Sequence, residues 1–259
     1  MASTEKPRVV VLGASNVRRG FPSLVKTARS MVGEPVDVLA AMGHGRSYGK
    51  WSSIPGRSLP GILQSGLWRA VDDNPPAETI GLITDVGNDL LYGVEPSQLL
   101  DWVATCIENL RSVNARIVIT ELPLASLATL GERRYRFFRT LFFPTCSLTL
   151  EALTDHAHEV NDGLHALAKW HHTAIANAPG EWYGFDPIHV RRHLFSEAWK
   201  KILSFVIDNE STSEAMTLSI AKRLALAVAT PDERRLLGVR KRTSQPSCML
   251  NEGSSIAFY

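Results

Sequence analysis

Four short clusters in this chain carry residue types that acyl transfer requires. Gly13-Ala14-Ser15-Asn16 lies near the start, and Gly43-His44-Gly45-Arg46-Ser47-Tyr48-Gly49 follows. Gly87-Asn88-Asp89 and Asp186-Pro187-Ile188-His189 come later. Acyl transfer takes a hydroxyl nucleophile, a base within hydrogen-bond reach of it and a group that orients the base. It also takes donors aimed at the developing oxyanion. Each cluster has a plainer reading as well. Ser15 suits a helix N-cap, the glycines suit backbone turns, Asn88 and Asp89 are common turn formers, and an Asp-x-x-His spacing recurs by chance. Their joint occurrence, in order and after strands, favours chemistry.

The elements that must position these residues are legible in the apolar pattern. Val9 to Leu12 is a continuous, mostly β-branched run ending at Gly13, the pattern of a strand buried on both faces. Similar runs follow at Val36 to Ala41, Thr79 to Asp85, Ala115 to Glu121 and Thr173 to Ala176. Between them lie helical segments, such as the stripe Leu99, Leu100, Val103, Ile107 and Leu110. Strands alternating with helices predict right-handed βαβ crossovers. The expected fold is α/β, a three-layer flavodoxin-like sandwich with a five-stranded parallel sheet, whose sites lie beyond the strand C-termini.

Residues 122–160 form a long connection containing RRYRFFRTLFFP. A substrate-side lid or a membrane-surface patch fits its composition. The preferred reading is a helix with aromatics packed inward and arginines in solvent. Beyond about residue 208 the βα pattern stops. Residues 212–229 read as a helix, and an Asn-Glu-Gly turn near the end reads as a hairpin. The chain therefore divides into an α/β domain over 1–210 and a C-terminal accessory extension over 211–259.

The four clusters resemble the blocks of the SGNH (GDSL-like) hydrolase superfamily. LGASN, GHGRS, VGND and DPIH stand in that order over residues 9–205. The resemblance implies a serine hydrolase cleaving carboxylic esters, with Ser15 as nucleophile, His189 as base and Asp186 holding the imidazole tautomer. The oxyanion hole would comprise the N–H groups of Ser15 and Gly45 with the Asn88 side chain, Gly43 being the alternative glycine donor. Asp89 would fix its loop, and Asp186 is expected to be largely desolvated yet charged. Two positions depart from the pattern. Val86 stands where the family usually has glycine, and Ala14 replaces the aspartate usually found before the serine.

Rival readings carry their own residues. Gly45-Arg46-Ser47-Tyr48-Gly49 matches G-x-S-x-G, the nucleophile elbow of α/β-hydrolases, which would make Ser47 the nucleophile. That elbow joins a strand directly to a helix, and the following KWSSIPGRSLPG disfavours one. A dinucleotide-binding domain would need G-x-G-x-x-G in the first turn, which is missing. A catalytically decayed SGNH-fold binding module is the non-enzymatic alternative. His156, His158, His165, His171 and His172 sit on or beside one amphipathic segment without metal-ligand spacing, so no metal is expected.

Bulk properties narrow the partners. The net charge of +2 over 259 residues makes no case for nucleic acid. The three cysteines, Cys106, Cys146 and Cys248, read as free thiols in a reducing compartment. With neither a signal peptide nor a membrane-spanning run evident, the expectation is a cytoplasmic enzyme without integral membrane association. It would act on a small-molecule acyl ester without a cofactor.

Overall fold

The computed structural model describes residues 6–207, 218–250 and 253–259. Its strands are β1 (Arg8–Leu12), β2 (Asp37–Ala41), β3 (Ser52–Ile54), β4 (Arg57–Leu59), β5 (Thr79–Ile83) and β6 (Arg116–Thr120). They continue with β7 (Ala174–Ala176), β8 (Glu233–Leu236), β9 (Val239–Arg242), β10 (Cys248–Met249) and β11 (Ser255–Phe258). The α-helices are α1 (Ser15–Val32), α2 (Leu67–Asp73), α3 (Pro96–Arg111), α4 (Leu124–Ala128), α5 (Glu132–Phe142), α6 (Leu150–His171), α7 (Phe195–Leu203) and α8 (Ile220–Val228).

The central sheet has the order β10-β11-β2-β1-β5-β6-β7. The five expected strands are its parallel core, β2-β1-β5-β6-β7. β1, β2, β5 and β6 bury both faces almost throughout because helices cover both sides, which is why they read as unbroken apolar runs, while the edge strand β7 is half-buried. Val9 and Val11 of β1 point into the cluster shared with Phe21, Leu24, Trp199 and Ile202 of α1 and α7. Val10 and Leu12 point the other way, toward Leu99, Val103, Val160 and Leu164 of α3 and α6. The strand period of two thus divides one strand between two cores.

The sheet is two strands wider than the sequence predicts. β10 and β11 form an antiparallel pair, as the hairpin reading expects, though residues 251–252 of its turn lie outside the described residues. The pair does not stand apart: β11 lies parallel to β2, with Ser255 opposite Asp37 and Phe258 opposite Ala40. The predicted helix over 212–229 is present as Ile220–Val228, residues 212–217 lying outside the described residues. A small second sheet, β3-β4-β8-β9, joins residues 52–59 to the same late segment. Gly56, at φ +78°, makes the turn between β3 and β4, so the Pro/Gly-rich stretch after Ser47 is a hairpin rather than a helix. The strands β8 to β11 of the late segment are therefore woven into the two sheets.

Candidate active site

β1 lies between β2 and β5, so the loops after those strands flank the turn after β1. Ser15 is the first residue of α1, and the N-cap is Ala14, with no side-chain cap bond. The serine hydroxyl is thus left free for another partner. Ser15 Oγ lies 2.9 Å from His189 Nε2. His189 Nδ1 lies 2.6 Å from Asp186 Oδ2. Asp186 Oδ1 accepts from the backbone N–H groups of Ile188 at 3.0 Å and His189 at 3.2 Å, closing the Asp-x-x-His loop on itself. Burial pushes the Asp186 carboxyl up. The His189 hydrogen bond and charge, together with the two amides, outweigh this and bring its pKa below the ordinary value. The Asp186 side chain keeps 30% of its exposure, against the expectation of a largely desolvated carboxylate. It sits in a surface loop with Arg19 3.5 Å away.

The loop after β2 is held rigidly. Ser47 is fully buried and donates through Oγ to Asp89 Oδ1, while the Tyr48 amide donates to Asp89 Oδ2 at 2.8 Å. Burial raises the Asp89 pKa to about 6, against the lowering pull of Ser47, Tyr48 and Lys50. Tyr48 Oη donates to the Thr84 carbonyl at 2.6 Å, and Tyr92 Oη donates to the Gly45 carbonyl at 2.7 Å. Gly45 has φ +65°, and a Cβ there would meet Tyr92 Oη at 2.6 Å, so backbone and packing both require glycine. At Gly43 a Cβ would meet Leu59 Cδ1 at 2.4 Å. The buried Arg46 guanidinium donates to the carbonyls of Pro60, Met42 and Tyr259, tying this loop to the end of β11. Ser47 sits in a loop leading to a hairpin, without the strand–helix elbow that its rival reading needs.

Asn88 lines a cavity of about 110 Å³ together with Asp85, Pro187, and Asn16 and Ile188, the residues next in sequence to Ser15 and His189. Farther in, the cavity is apolar, walled by residues such as Leu91, Leu122, Leu130 and Phe138. The 122–160 connection contributes much of this wall. Tyr135 and Phe138 of α5 pack inward as expected, but Phe137, Leu141 and Phe142 remain exposed.

No family model matches the chain, and no curated protein matches it in sequence. Solved structures do match in fold. One is an acetyl xylan esterase, with a TM-score of 0.52 at 10% identity over 77% of this chain and 100% of that one. Another is a GDSL-like lipase from Bacteroides thetaiotaomicron, with a TM-score of 0.50 at 12% identity over 78% of this chain and 87% of that one. The chain shares its α/β fold with these two proteins.

Within this fold, two residues that sequence reasoning passed over organise the turn that carries Ser15. Asp85, at φ +59° just after β5, accepts from the backbone N–H groups of Ala14 and Asn16 at 2.9 Å each, and from Asn16 Nδ2 at 2.8 Å. A carboxylate from the neighbouring strand thereby satisfies the start of α1, the support missing at position 14. Asn16 then spans the site: its Nδ2 donates to the Ile188 carbonyl at 3.0 Å and its Oδ1 accepts from the Val190 amide at 2.9 Å. It grips the backbone on both sides of His189. The available signal was position, since Asp85 directly follows a buried strand and Asn16 directly follows Ser15. At the other departure, Val86 packs in the core, while a Cβ at Gly87 would meet Leu122 Cδ2 at 2.9 Å. The close approach of backbone to Leu122 thus falls at Gly87.

Replacing Asp85 by Ala is expected to lower stability by about 1–2 kcal/mol, as for loss of a helix cap. Loosening Ser15 should also lower kcat, by about 10–100-fold, as misplacement near the chemistry does. Thermal melts and kcat on a soluble ester, measured together, check it. A stability loss with kcat unchanged would reduce Asp85 to a capping residue.

Among the described residues, no group of three or more His, Cys, Asp or Glu side chains could hold a metal ion. His165 instead lies 2.6 Å from Glu121, and His171 Nδ1 lies 3.0 Å from Arg111. Among the same residues, no helix is long and apolar enough to cross a membrane.

Proposed function

We propose that this protein is a serine hydrolase of carboxylic esters, with Ser15, His189 and Asp186 as its catalytic residues. The observation that carries the reading is the unbroken run of contacts from Asp186 through His189 to Ser15, at 2.6 and 2.9 Å. With the proton on Nδ1, His189 donates to Asp186, and its bare Nε2 accepts from the Ser15 hydroxyl. Ser15 Oγ attacks the ester carbonyl as His189 takes the hydroxyl proton. The tetrahedral oxyanion collapses, and the leaving alkoxide receives that proton. Water then enters by the same route in reverse, giving the free acid and restoring Ser15.

Three donors are available to the oxyanion in this reading: the N–H groups of Ser15 and Gly45 and the Asn88 amide. Ser15 opens α1, so the helix N-terminus adds positive potential where negative charge develops. His44 stands beside Gly45 as a neutral imidazole. Its pKa is pushed below the ordinary value first by burial and then by the nearby Arg57, Arg18, His189 and Arg19. The cavity beside Asn88 offers room for an apolar acyl or alcohol group. The departure at Ala14 does not speak for a decayed binding module, because Asp85 supplies a carboxylate to the amides of Ala14 and Asn16.

Replacing Asn88 by Ala should lower kcat by about 10²–10³-fold with little change in KM, the signature of a donor used in the transition state. Steady-state kinetics on a p-nitrophenyl short-chain ester check it. A change confined to KM would assign Asn88 to substrate binding. For the reading as a whole, the decisive experiment is hydrolysis of that ester and its abolition by a serine-directed phosphonate.

A further inference from the structure

We propose that the outer face of α5, together with Phe185, docks this protein onto anionic lipid surfaces. Phe137, Leu141 and Phe142 of α5 are 56%, 58% and 40% exposed, and Phe185 is 72% exposed. These are not scattered side chains. They meet over one buried ring: Phe138 lies 5.1 Å from Phe137, stacks on Phe142 at 5.9 Å and lies 5.5 Å from Phe185, so helix and loop are tied together beneath the exposed side chains. Such a contiguous apolar patch on a water-facing surface marks a binding site.

Charge identifies the occupant. Arg133 and Arg136 project from the same helix into solvent, and Arg134 lies over the Phe185 ring at 5.8 Å. Glu132 is the only acidic residue in α5. An apolar stripe rimmed by arginines is what an interfacial helix presents to anionic headgroups, its aromatics entering the acyl boundary. A second copy of this chain would set arginines against arginines, so charge disfavours self-association.

The patch also leads inward. The Phe142 ring meets the His189 ring edge-on at 5.5 Å, and the inner face of α5 supplies Tyr135 and Phe138 to the apolar cavity beside Asn88. A lipid ester drawn from the surface would therefore find apolar contact along the way to Ser15. Docking stands on the patch alone, whereas delivery of a lipid ester to Ser15 rests on the ester-hydrolase reading.

The test is flotation of full-length protein carrying Ser15→Ala, so that no vesicle is hydrolysed. One set of vesicles contains equal parts phosphatidylglycerol and phosphatidylcholine, and the other phosphatidylcholine alone. Binding is expected on the anionic vesicles, weakened by salt. It should fall by about 10–100-fold in Phe137→Ser/Leu141→Ser, as buried apolar area is lost. Arg133→Glu/Arg136→Glu should lose about tenfold or more. Retained hydrolysis of a water-soluble ester by both double variants on a Ser15 background shows that they fold. The proposal is overturned by absence of binding to anionic vesicles, by equal binding to pure phosphatidylcholine, or by indifference to both double variants. A dimer in sedimentation that Phe137→Ser/Leu141→Ser dissolves would overturn it in favour of a second copy. If vesicles bind while wild-type protein cleaves no soluble ester, the hydrolase reading falls and the docking surface stands.

Discussion

Replacing Ser15 by Ala is expected to remove about 10⁴–10⁶-fold of turnover, while replacing Ser47 by Ala retains most of it. Both serines follow a strand and both belong to a plausible hydrolase motif, but their surroundings differ. Ser15 Oγ is 2.9 Å from an imidazole nitrogen. Ser47 Oγ is sealed from solvent, donates to Asp89, and accepts from the amides of Lys50 at 3.1 Å and Gly49 at 3.3 Å. Its removal strips a hydrogen bond from a buried carboxylate, which costs about 1–3 kcal/mol of stability. Turnover should stay within about tenfold, since no reacting atom is touched. Fluorophosphonate labelling followed by peptide mapping decides between them. An adduct on Ser47 with Ser15 unmodified would overturn the mechanism.

Deleting residues 240–259 is expected to abolish folding rather than trim an accessory. Leu250, Ile256 and Phe258 are each at most 6% exposed. Burial of side chains this size stabilises by about 1.5–3 kcal/mol each, and three of them approach the roughly 5–15 kcal/mol net stability of a domain. The deletion also opens the edge of β2 and takes away the Tyr259 carbonyl that receives Arg46. The truncated chain should appear in the insoluble fraction, or melt far below the full chain by circular dichroism. A soluble truncation with an unchanged melt and full ester turnover would return the segment to the status of an appendage.

That contrast shows where the sequence was readable. The five parallel core strands follow from continuous apolar runs, because burial on both faces is a property of each segment by itself. Ser15, Asn88, Asp186 and His189 could be singled out because strand C-termini gather at one edge of a parallel sheet whatever the packing details. The destination of β11 could not. Ser255–Phe258 reads as half of a hairpin with Cys248–Met249, which it is, but its other neighbour is β2, more than two hundred residues away. Alternation records that a strand has a buried face, not which sheet edge it joins. Asp85 was hidden for the same reason. Its partners Ala14 and Asn16 are 71 and 69 positions distant, and no local pattern links a carboxylate to amides in another loop. For α5 the sequence offered an exposed patch only as the less favoured alternative, because helical spacing accounts for Tyr135 and Phe138 while leaving Phe137, Leu141 and Phe142 free to be assigned inward as well.

The late arrival of β11 also sets an order of events during synthesis. Until residues 255–258 emerge, β2 pairs on one side alone, and its other row of backbone amides and carbonyls stands open. A nascent chain carries that unpaired edge for the more than two hundred residues that separate β2 from β11, a period in which it can pair with other chains. The strand that covers β2 is thus also the one that ends the exposure of that edge.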